Sequence, residues 1–294
     1  MTKKQNTNSP LLSLTLTDRQ LCDLELLLNG GFNPLNGYMK QDDYDSVLEN
    51  MCLKNGSIWT IPINLDVSGE FAKKLSLHEN IILKDKEGFS LAFLKVSDIW
   101  EPDLKKESEL IFKTNDTAHP GVNYLFNQTN RFYIGGELEL ISRPKHYDYS
   151  ELRHTPEELK KIFRKLNWEK IIAFQTRNPL HRAHVEMINS AIKDTNSNLL
   201  LHPVVGMTKP GDVNHYTRLR CYQSVLKRFN DSSAILSLLP LAMRMAGPRE
   251  AVWHALIRKN YGCTQLIIGR DHAGPGLDKN GNSFYGPYDA QDLL

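Results

Sequence analysis

Cysteine is scarce in this chain, and the four present, Cys22, Cys52, Cys221 and Cys263, are scattered along it. None forms a C-x-x-C pair, which argues against a zinc knuckle or a redox dithiol. Thiols spread in this way suit a reducing compartment. An excess of charge is missing too: 36 Lys and Arg against 34 Asp and Glu leave a formal net charge of +2. No global field draws in nucleic acid or anionic lipid, so an anionic ligand has to be met by a local cluster. No stretch approaches the ~20 apolar residues of a membrane span. Met1 to Pro10 is polar and lysine-bearing, with neither an apolar run of secretory length nor the arginine-rich amphipathic character of a transit peptide. The expectation is a cytoplasmic protein with no nucleic-acid and no membrane partner. There is no internal repeat, no low-complexity tract and no G-x-x-x-x-G-K-[ST] phosphate loop, so a fused kinase of that type is not supported.

What is present is an ordinary globular composition, 40% apolar and 24% charged over 294 residues, enough for one large domain or two of usual size. Thr17 and Asp18 can cap a helix whose leucines (Leu21, Leu24, Leu28) recur at helical spacing until Gly30-Gly31 ends it, and Asp42 to Asn50 reads as a second short helix. The texture then changes. Ile58–Val67, Ile81–Leu83, Ser90–Val96, Glu109–Phe112 and Phe132–Ile141 are short, β-rich and punctuated by Gly, Asp and Asn. Ser142 to Pro156, rich in Pro, His, Tyr and charge, reads as a linker. Beyond it strands (Lys170–Phe174, Leu199–Val205, Ala234–Leu239, Gln265–Ile268) alternate with helices (Pro156 to about Leu166, Leu180–Ile192, His215–Phe229, Pro248–Asn260). The fold class expected is α/β: a β-rich domain over residues 1–145, then a domain over 146–294 built on a parallel sheet covered on both faces. In such sheets ligands bind beyond the carboxyl ends of the strands.

Two strings sit at such ends. Gln175-Thr176-Arg177-Asn178-Pro179-Leu180-His181-Arg182-Ala183-His184 follows the apolar strand Ile171–Phe174. Asn178 reads as an N-cap and Pro179 as the first helical residue, which would aim free N–H groups and a positive dipole end at the strand tip. His181 and His184, three apart, share a face, and Arg177, Gln175 and Asn178 converge on the same spot, an arrangement suited to a polyphosphate together with a second small oxyanion. A histidine pair at this spacing also occurs as a structural feature or as half of a metal site, although Glu186 faces elsewhere and no third ligand is close. The second string, Gly269-Arg270-Asp271-His272-Ala273-Gly274-Pro275-Gly276, follows Leu266–Ile268. Glycines there let backbone approach a ligand; a tight turn closed by an Arg270–Asp271 salt bridge is the alternative. Arg244 and Arg249 either reach the ligand or pair with carboxylates. Trp253 and His254 read as core, Arg182 as surface or interdomain, and Glu157-Glu158 with Lys160-Lys161 as a solvated helix face.

The first string resembles the Q-x-R-N-P-x-H-x-x-H signature of the ATP sulfurylase family, and is similar to a variant of the H-x-G-H motif of nucleotidyltransferases with Ala183 in place of the glycine. The second matches that family's G-R-D-H-A-G-P-G string without a substitution, in the right order. Lys209-Pro210-Gly211-Asp212-Val213, His215–Cys221, Met243–Asn260 and the opening region up to Tyr38 resemble the family as well.

The resemblance implies a PUA-like β-rich N-terminal domain followed by a Rossmann-like nucleotidyltransferase domain. The implied reaction is sulfate adenylylation: ATP and sulfate give adenylyl sulfate (APS) and pyrophosphate by direct in-line displacement, which fits the absence of a Ser-His-Asp or Cys-His arrangement. Carried onto this sequence, the resemblance implies that Gln175, Arg177 and the Ala273 backbone N–H clamp sulfate. Thr176, Arg177, Asn178, His181 and His184 are the implied catalytic residues, and these with Gln175 and with Gly269, Arg270, Asp271 and His272 are the implied ATP contacts. Magnesium is expected to arrive with ATP, with no dedicated protein metal site and no tightly bound cofactor. A homo-oligomer is expected. Family members continue past the residue where this chain stops: Gly286–Leu294 reads as a helix cut in its second turn, which leads to the expectation of a shortened chain, an exposed sheet edge prone to association and weak ATP affinity. A nucleotide- or sulfate-binding homologue without turnover, and a nucleotidyltransferase of another H-x-G-H type, are the competing readings.

Overall fold

The β-rich texture of the first half and the strand–helix alternation of the second resolve into two sheets. The computed structural model describes residues 11–209, 211–229 and 233–294. The N-terminal segment up to Pro10, and Pro210 of the Lys209–Val213 string, lie outside the described residues.

The first half comprises β1 (Ser13–Thr15), α1 (Asp18–Leu28), β2 (Gly37–Tyr38), α2 (Gln41–Asn50), β3 (Leu65–Val67), α3 (Gly69–Ala72), β4 (Asn80–Lys84), β5 (Ser90–Trp100), α4 (Leu104–Phe112), α5 (Pro120–Asn127) and β6 (Phe132–Leu140). Its sheet runs β1-β4-β5-β6-β2, with β3 also on β6, and every pair except β1–β4 is antiparallel. Helix α1 starts where the sequence says it should: the Thr17 hydroxyl accepts from the Gln20 N–H and the Gln20 side chain accepts from the Thr17 N–H, a reciprocal capping box. Gly135 and Gly136 let β6 be squeezed from both sides, since a Cβ on either would overlap the Met39 or Lys95 carbonyl.

Two sequence expectations fail here. Glu109–Phe112 is not a strand but the last turn of α4. Asp103 caps that helix by accepting from the Lys105 and Lys106 N–H groups, and Glu107, Ser108, Ile111 and Phe112 form its buried face at helical spacing. In Ile58–Val67 only Leu65–Val67 is ladder. Trp59, Ile61 and Ile63 are fully buried as irregular chain, because Pro62 has no N–H for a ladder.

After a short turn at Ser150–Leu152 come α6 (Pro156–Lys165), β7 (Ile171–Phe174), α7 (Arg182–Thr195), β8 (Asn198–Leu201), α8 (His215–Leu226), β9 (Ala234–Leu236), α9 (Gly247–Asn260), β10 (Gln265–Ile267) and α10 (Asp289–Leu293). The sheet order is β10-β7-β8-β9 and all pairs are parallel, as the alternation predicts. The central strands β7 and β8 are buried on both faces, the outer β9 and β10 only partly, and side-chain alternation splits them between two cores. Ile171, Ala173 and Leu200 join a core that runs continuously from Leu16 of the first half to Trp253 and Ile257 of α9. Ile172, Phe174, Leu199 and Leu201 pack on the other side against Val185 and Ile188 of α7 and Leu219 and Tyr222 of α8. Each such side chain contributes roughly 1.5–3 kcal/mol of burial.

Charged groups also tie the halves together. Arg244 is buried against Asp23 at 2.6 Å and donates to the Ala242 carbonyl, and Arg249 donates to the Val47 and Leu48 carbonyls at 3.0 and 2.7 Å. Of the two options the sequence left open, a ligand or a carboxylate, Arg244 takes a carboxylate, whereas Arg249 pairs with no carboxylate among the described residues and donates to backbone instead. No helix among the described residues is long and apolar enough to cross a membrane.

Candidate functional site: an anion cleft at two strand tips

Because β7 and β10 are parallel neighbours, with Phe174 opposite Ile267, the two strings that follow them emerge side by side. They wall one cleft of about 160 Å³, lined by Gln175, Thr176, Arg177, Asn178 and His184 from the first string, Gly269, Arg270, Asp271, His272 and Ala273 from the second, and by Met187 and Met243. His181 is exposed and outside this lining; its ring stacks on His184 with centroids 5.6 Å apart. A larger groove of about 810 Å³ lies elsewhere, walled by Met51, Ile58, Leu256, Leu266 and others, and carries neither string. Volume and chemistry therefore part company in this molecule.

The approach from β7 differs from the sequence reading in one respect. Asn178 is not the N-cap and Pro179 is not the first helical residue; helix α7 begins at Arg182 with His181 at the cap. Residues 175–180 form a turn instead. The Thr176 hydroxyl accepts from the Asn178 N–H at 3.0 Å and donates to the Asn178 carbonyl at 2.9 Å, and the Tyr222 hydroxyl of α8 donates to that carbonyl at 2.8 Å. A Thr side chain bonding backbone two residues on competes with helix, which is why the helix starts late. At the true cap, the His181 N–H donates to His184 Nδ1 at 3.2 Å. That bond places the proton of neutral His184 on Nε2, so the ring presents a donor. Burial first, then the neighbouring His181 imidazole, holds the His184 pKa below the ordinary imidazole value.

Arg177 is half-buried and already engaged. One guanidinium nitrogen lies 2.6 Å from Asp212 Oδ1, and the other donates to the Gly274 carbonyl at 3.3 Å. The second Asp212 oxygen and Gln175 Oε1 are buried without a hydrogen-bond partner. Two orphan acceptors lie in residues at or beside this site, and turning the Gln175 amide would offer its NH₂ donors instead.

The second string is strained. Asp271 and Ala273 both have positive φ, 51° and 56°, conformations that cost of order ~1–3 kcal/mol outside glycine and that gather at functional sites. The turn is closed by the Gly274 N–H donating to the Asp271 carbonyl at 3.1 Å, which leaves the Ala273 N–H without a protein acceptor among the described residues. The Arg270–Asp271 salt bridge considered from sequence is not among the ion pairs of the described residues, and Arg270 is exposed at the rim. Burial holds the Asp271 carboxyl above its usual range against the pull of Arg177 and Lys209.

His272 is tied to a buried chain. Its Nε2 lies 3.0 Å from His254 Nδ1, and His254 Nε2 lies 3.2 Å from Glu250 Oε1 in a contact too bent for a straight hydrogen bond. Glu250 also accepts from the Arg244 and Ala246 N–H groups at 3.0 and 2.8 Å. Burial opposes its charge, but His254 and those N–H groups outweigh it, so its pKa stays below the usual carboxylate range. With the carboxylate charged, His254 carries its proton on Nε2 and accepts from His272 Nε2–H. Burial, with His254 and Arg258 adding, pushes His272 down to about 3, so it is neutral at physiological pH.

Four of these residues, Asp212, Tyr222, Glu250 and His254, are not named as site residues from sequence; His254 is core, as expected, and meets His272 from inside. The i,i+4 spacing of Glu250 and His254 on one helix was the available signal for that pair. Tyr222 carried none, since its partner lies 44 positions away.

Known proteins resemble this chain along most of its length. The family model described as ATP-sulfurylase matches residues 150–294, and the model of a PUA-like domain matches residues 1–143. The sulfate adenylyltransferase of Kluyveromyces lactis is 56% identical over 284 residues, covering 97% of this chain and 56% of that protein. That of Saccharomyces cerevisiae is 51% identical over 287 residues, covering 98% and 56%. A solved hexameric APS kinase from Thiobacillus denitrificans is 32% identical with a TM-score of 0.74, over 88% of this chain and 47% of that one. The chain spans about half the length of the curated relatives it matches. With both signature strings at adjacent strand tips and this likeness along nearly its whole length, the chain belongs to the ATP sulfurylase family.

Proposed function

We propose that this chain carries the sulfate adenylyltransferase site, joining sulfate to the α-phosphate of ATP with release of pyrophosphate. The observation that carries the reading is the convergence, in one cleft, of Arg177, Gln175 and His184 from the β7 tip with the strained Gly269–Ala273 turn from the β10 tip. Sulfate is fully ionised near neutral pH and needs no general base, so the task is to hold two anions in line and neutralise charge. Arg177, with its planar fork, Gln175 and the Ala273 N–H are the sulfate clamp in this reading. Sulfate entering the clamp takes the place of the Asp212 carboxylate on Arg177. His184, as an Nε2 donor, and His181 stacked on it meet the phosphates and the departing pyrophosphate, and Thr176 and Asn178 shape the turn that faces ATP. Gly269, Arg270, Asp271 and His272 form the second nucleotide contact. Magnesium enters as part of the substrate, bound to ATP.

The division into units 1–145 and 146–294, a homo-oligomeric state and a cytoplasmic location belong to the same proposal. The hexameric assembly of the solved relative supports the second and the four free thiols support the third. The test is pyrophosphate release from ATP with and without sulfate. Sulfate-dependent release is expected; binding of ATP and sulfate with no release would assign the chain to a binding role instead.

A further inference from the structure

A second cavity lies beside the strand-tip cleft. Its volume is about 340 Å³, and it is walled by α1, the start of α5 and the loops around Lys209 and Met243. Among the described residues its charged lining residues are Arg19, Lys209 and Arg244, with no Asp or Glu in the wall. Arg244 is neutralised by Asp23 at 2.6 Å. Arg19 is not. Among the described residues its guanidinium makes no hydrogen bond and no ion pair, and it lies 3.9 Å over the Tyr124 ring. Asp23, Asp66 and Glu107 line the space on its other side: Asp23 pairs with Arg244, Asp66 accepts from Gln20 and Asn130, and Glu107 from the Tyr44 and Tyr133 hydroxyls. Among the described residues Lys209 donates to one carbonyl, that of Pro275, at 3.3 Å, and makes no ion pair. Two cations are thus held against one cavity with their carboxylate neighbours on the far side of its wall, so the cavity itself favours an anion. Burial, with Arg244 adding, accordingly holds the Arg19 pKa below the ordinary guanidinium value.

We propose that this cavity binds a small dianionic oxyanion, of the sulfate or phosphate class, at a site separate from Arg177. Two cations without a carboxylate contact of their own, Arg19 and Lys209, face the cavity and suit an ion of this charge. The guanidinium stacked on Tyr124 is pre-set as a planar fork for bidentate contact, and Asn123 and Thr208 add neutral donors to the wall. The site is a neighbour of the strand-tip cleft: Met243 lines both spaces, and Lys209 reaches the Pro275 carbonyl of the glycine-rich string. It does not depend on the reaction proposed above.

Calorimetric titration of the 294-residue chain with sodium sulfate, against sodium chloride at matched ionic strength, reads the site directly. The background is R177A/D212A, which removes the strand-tip guanidinium together with the carboxylate it holds. One equivalent of sulfate is expected to bind there still. Adding R19Q weakens it by at least about tenfold, the scale of a lost buried charge contact, K209M weakens it severalfold, and R19K keeps most of the affinity. Should R19Q melt before it can be titrated, K209M and R19K carry the test, with circular dichroism checking the fold. Phosphate competing with sulfate at similar concentration supports the assignment; ATP displacing it equally well overturns the assignment to a small free oxyanion. No sulfate binding to R177A/D212A, or binding unchanged by R19Q and K209M, overturns the site itself.

Discussion

Removing Arg177 separates two roles that one side chain fills. Its guanidinium is ion-paired with Asp212 at 2.6 Å, with side-chain exposures of 16% and 7%, and one Asp212 oxygen has no other partner. Arg177→Ala therefore leaves a buried carboxylate uncompensated, a change that costs about 3–5 kcal/mol in well-buried pairs. Partial solvent access to Arg177 puts the expectation at the lower end, about 3 kcal/mol. At about 2–4 °C per kcal/mol for a large domain, the melting temperature should fall by about 6–12 °C. Adding Asp212→Ala removes the stranded charge and should restore most of that loss. Sulfate-dependent pyrophosphate release should not follow stability. It should fall at least about tenfold in both variants, since losing a charged partner for a bound anion exceeds the ~1.4 kcal/mol of a decade. The assays are a thermal melt and a pyrophosphate-release rate below saturating sulfate. A single variant that melts like the parent, or a double variant that regains sulfate-dependent release along with its stability, would refute this division of roles.

Tyr222→Phe removes the 2.8 Å donation to the Asn178 carbonyl; a loss of about 0.5–1.5 kcal/mol should loosen the turn and lower turnover a few-fold with the melting temperature moving only slightly, and an unchanged rate would show that the bond does not serve the site. Gly274→Ala places a Cβ on the Asp271 carboxylate, so sulfate-dependent release should drop sharply while circular dichroism stays native; a fully active variant would contradict the strained-turn reading. Burial depresses His119 to about 4 and His272 to about 3 from an ordinary value of 6.5, and His119 Nδ1 accepts the Gly121 and Val122 N–H groups of the α5 cap. The folded state thus resists a proton that the unfolded chain takes up, so this stability is complete above pH 6.5 and is lost as pH falls toward those folded values. Urea midpoints measured from about pH 7.5 to about 4.5 should fall steadily below the ordinary imidazole pKa, and a flat profile would count against the neutral buried histidines.

Much of the fold could be read from local pattern because the causes are local. Thr155, Pro156 and Glu158 write the start of α6, where Glu158 accepts from the Thr155 N–H and hydroxyl at 2.7 and 2.9 Å. The i,i+4 pair Glu157–Lys161 at 2.7 Å is the solvated face that the charges announce. The unbroken apolar run Ile171–Phe174 is what a strand buried on both faces requires, and alternation after it calls for a parallel sheet. Placing both signature strings after strands then put them at one end of one sheet, although only the pairing of β7 with β10 makes them neighbours.

What the sequence alone could not decide are choices made by partners distant along the chain. Leu110, Ile111 and Phe112 have strand-forming composition, but the Asp103 cap and a buried face that continues through Glu107 and Ser108 turn them into helix. Asn178 has the propensity of an N-cap, yet Thr176 beside it and Tyr222 across the cleft take its backbone, and the helix waits for His181. Arg177 meets Asp212, Arg244 meets Asp23, and His272 meets His254, across 35, 221 and 18 positions of chain. Periodicity and capping act over about one or two helical turns. Which carboxylate neutralises which guanidinium, and which is left facing a cavity, is settled only when the sheets pack and water is excluded from between them.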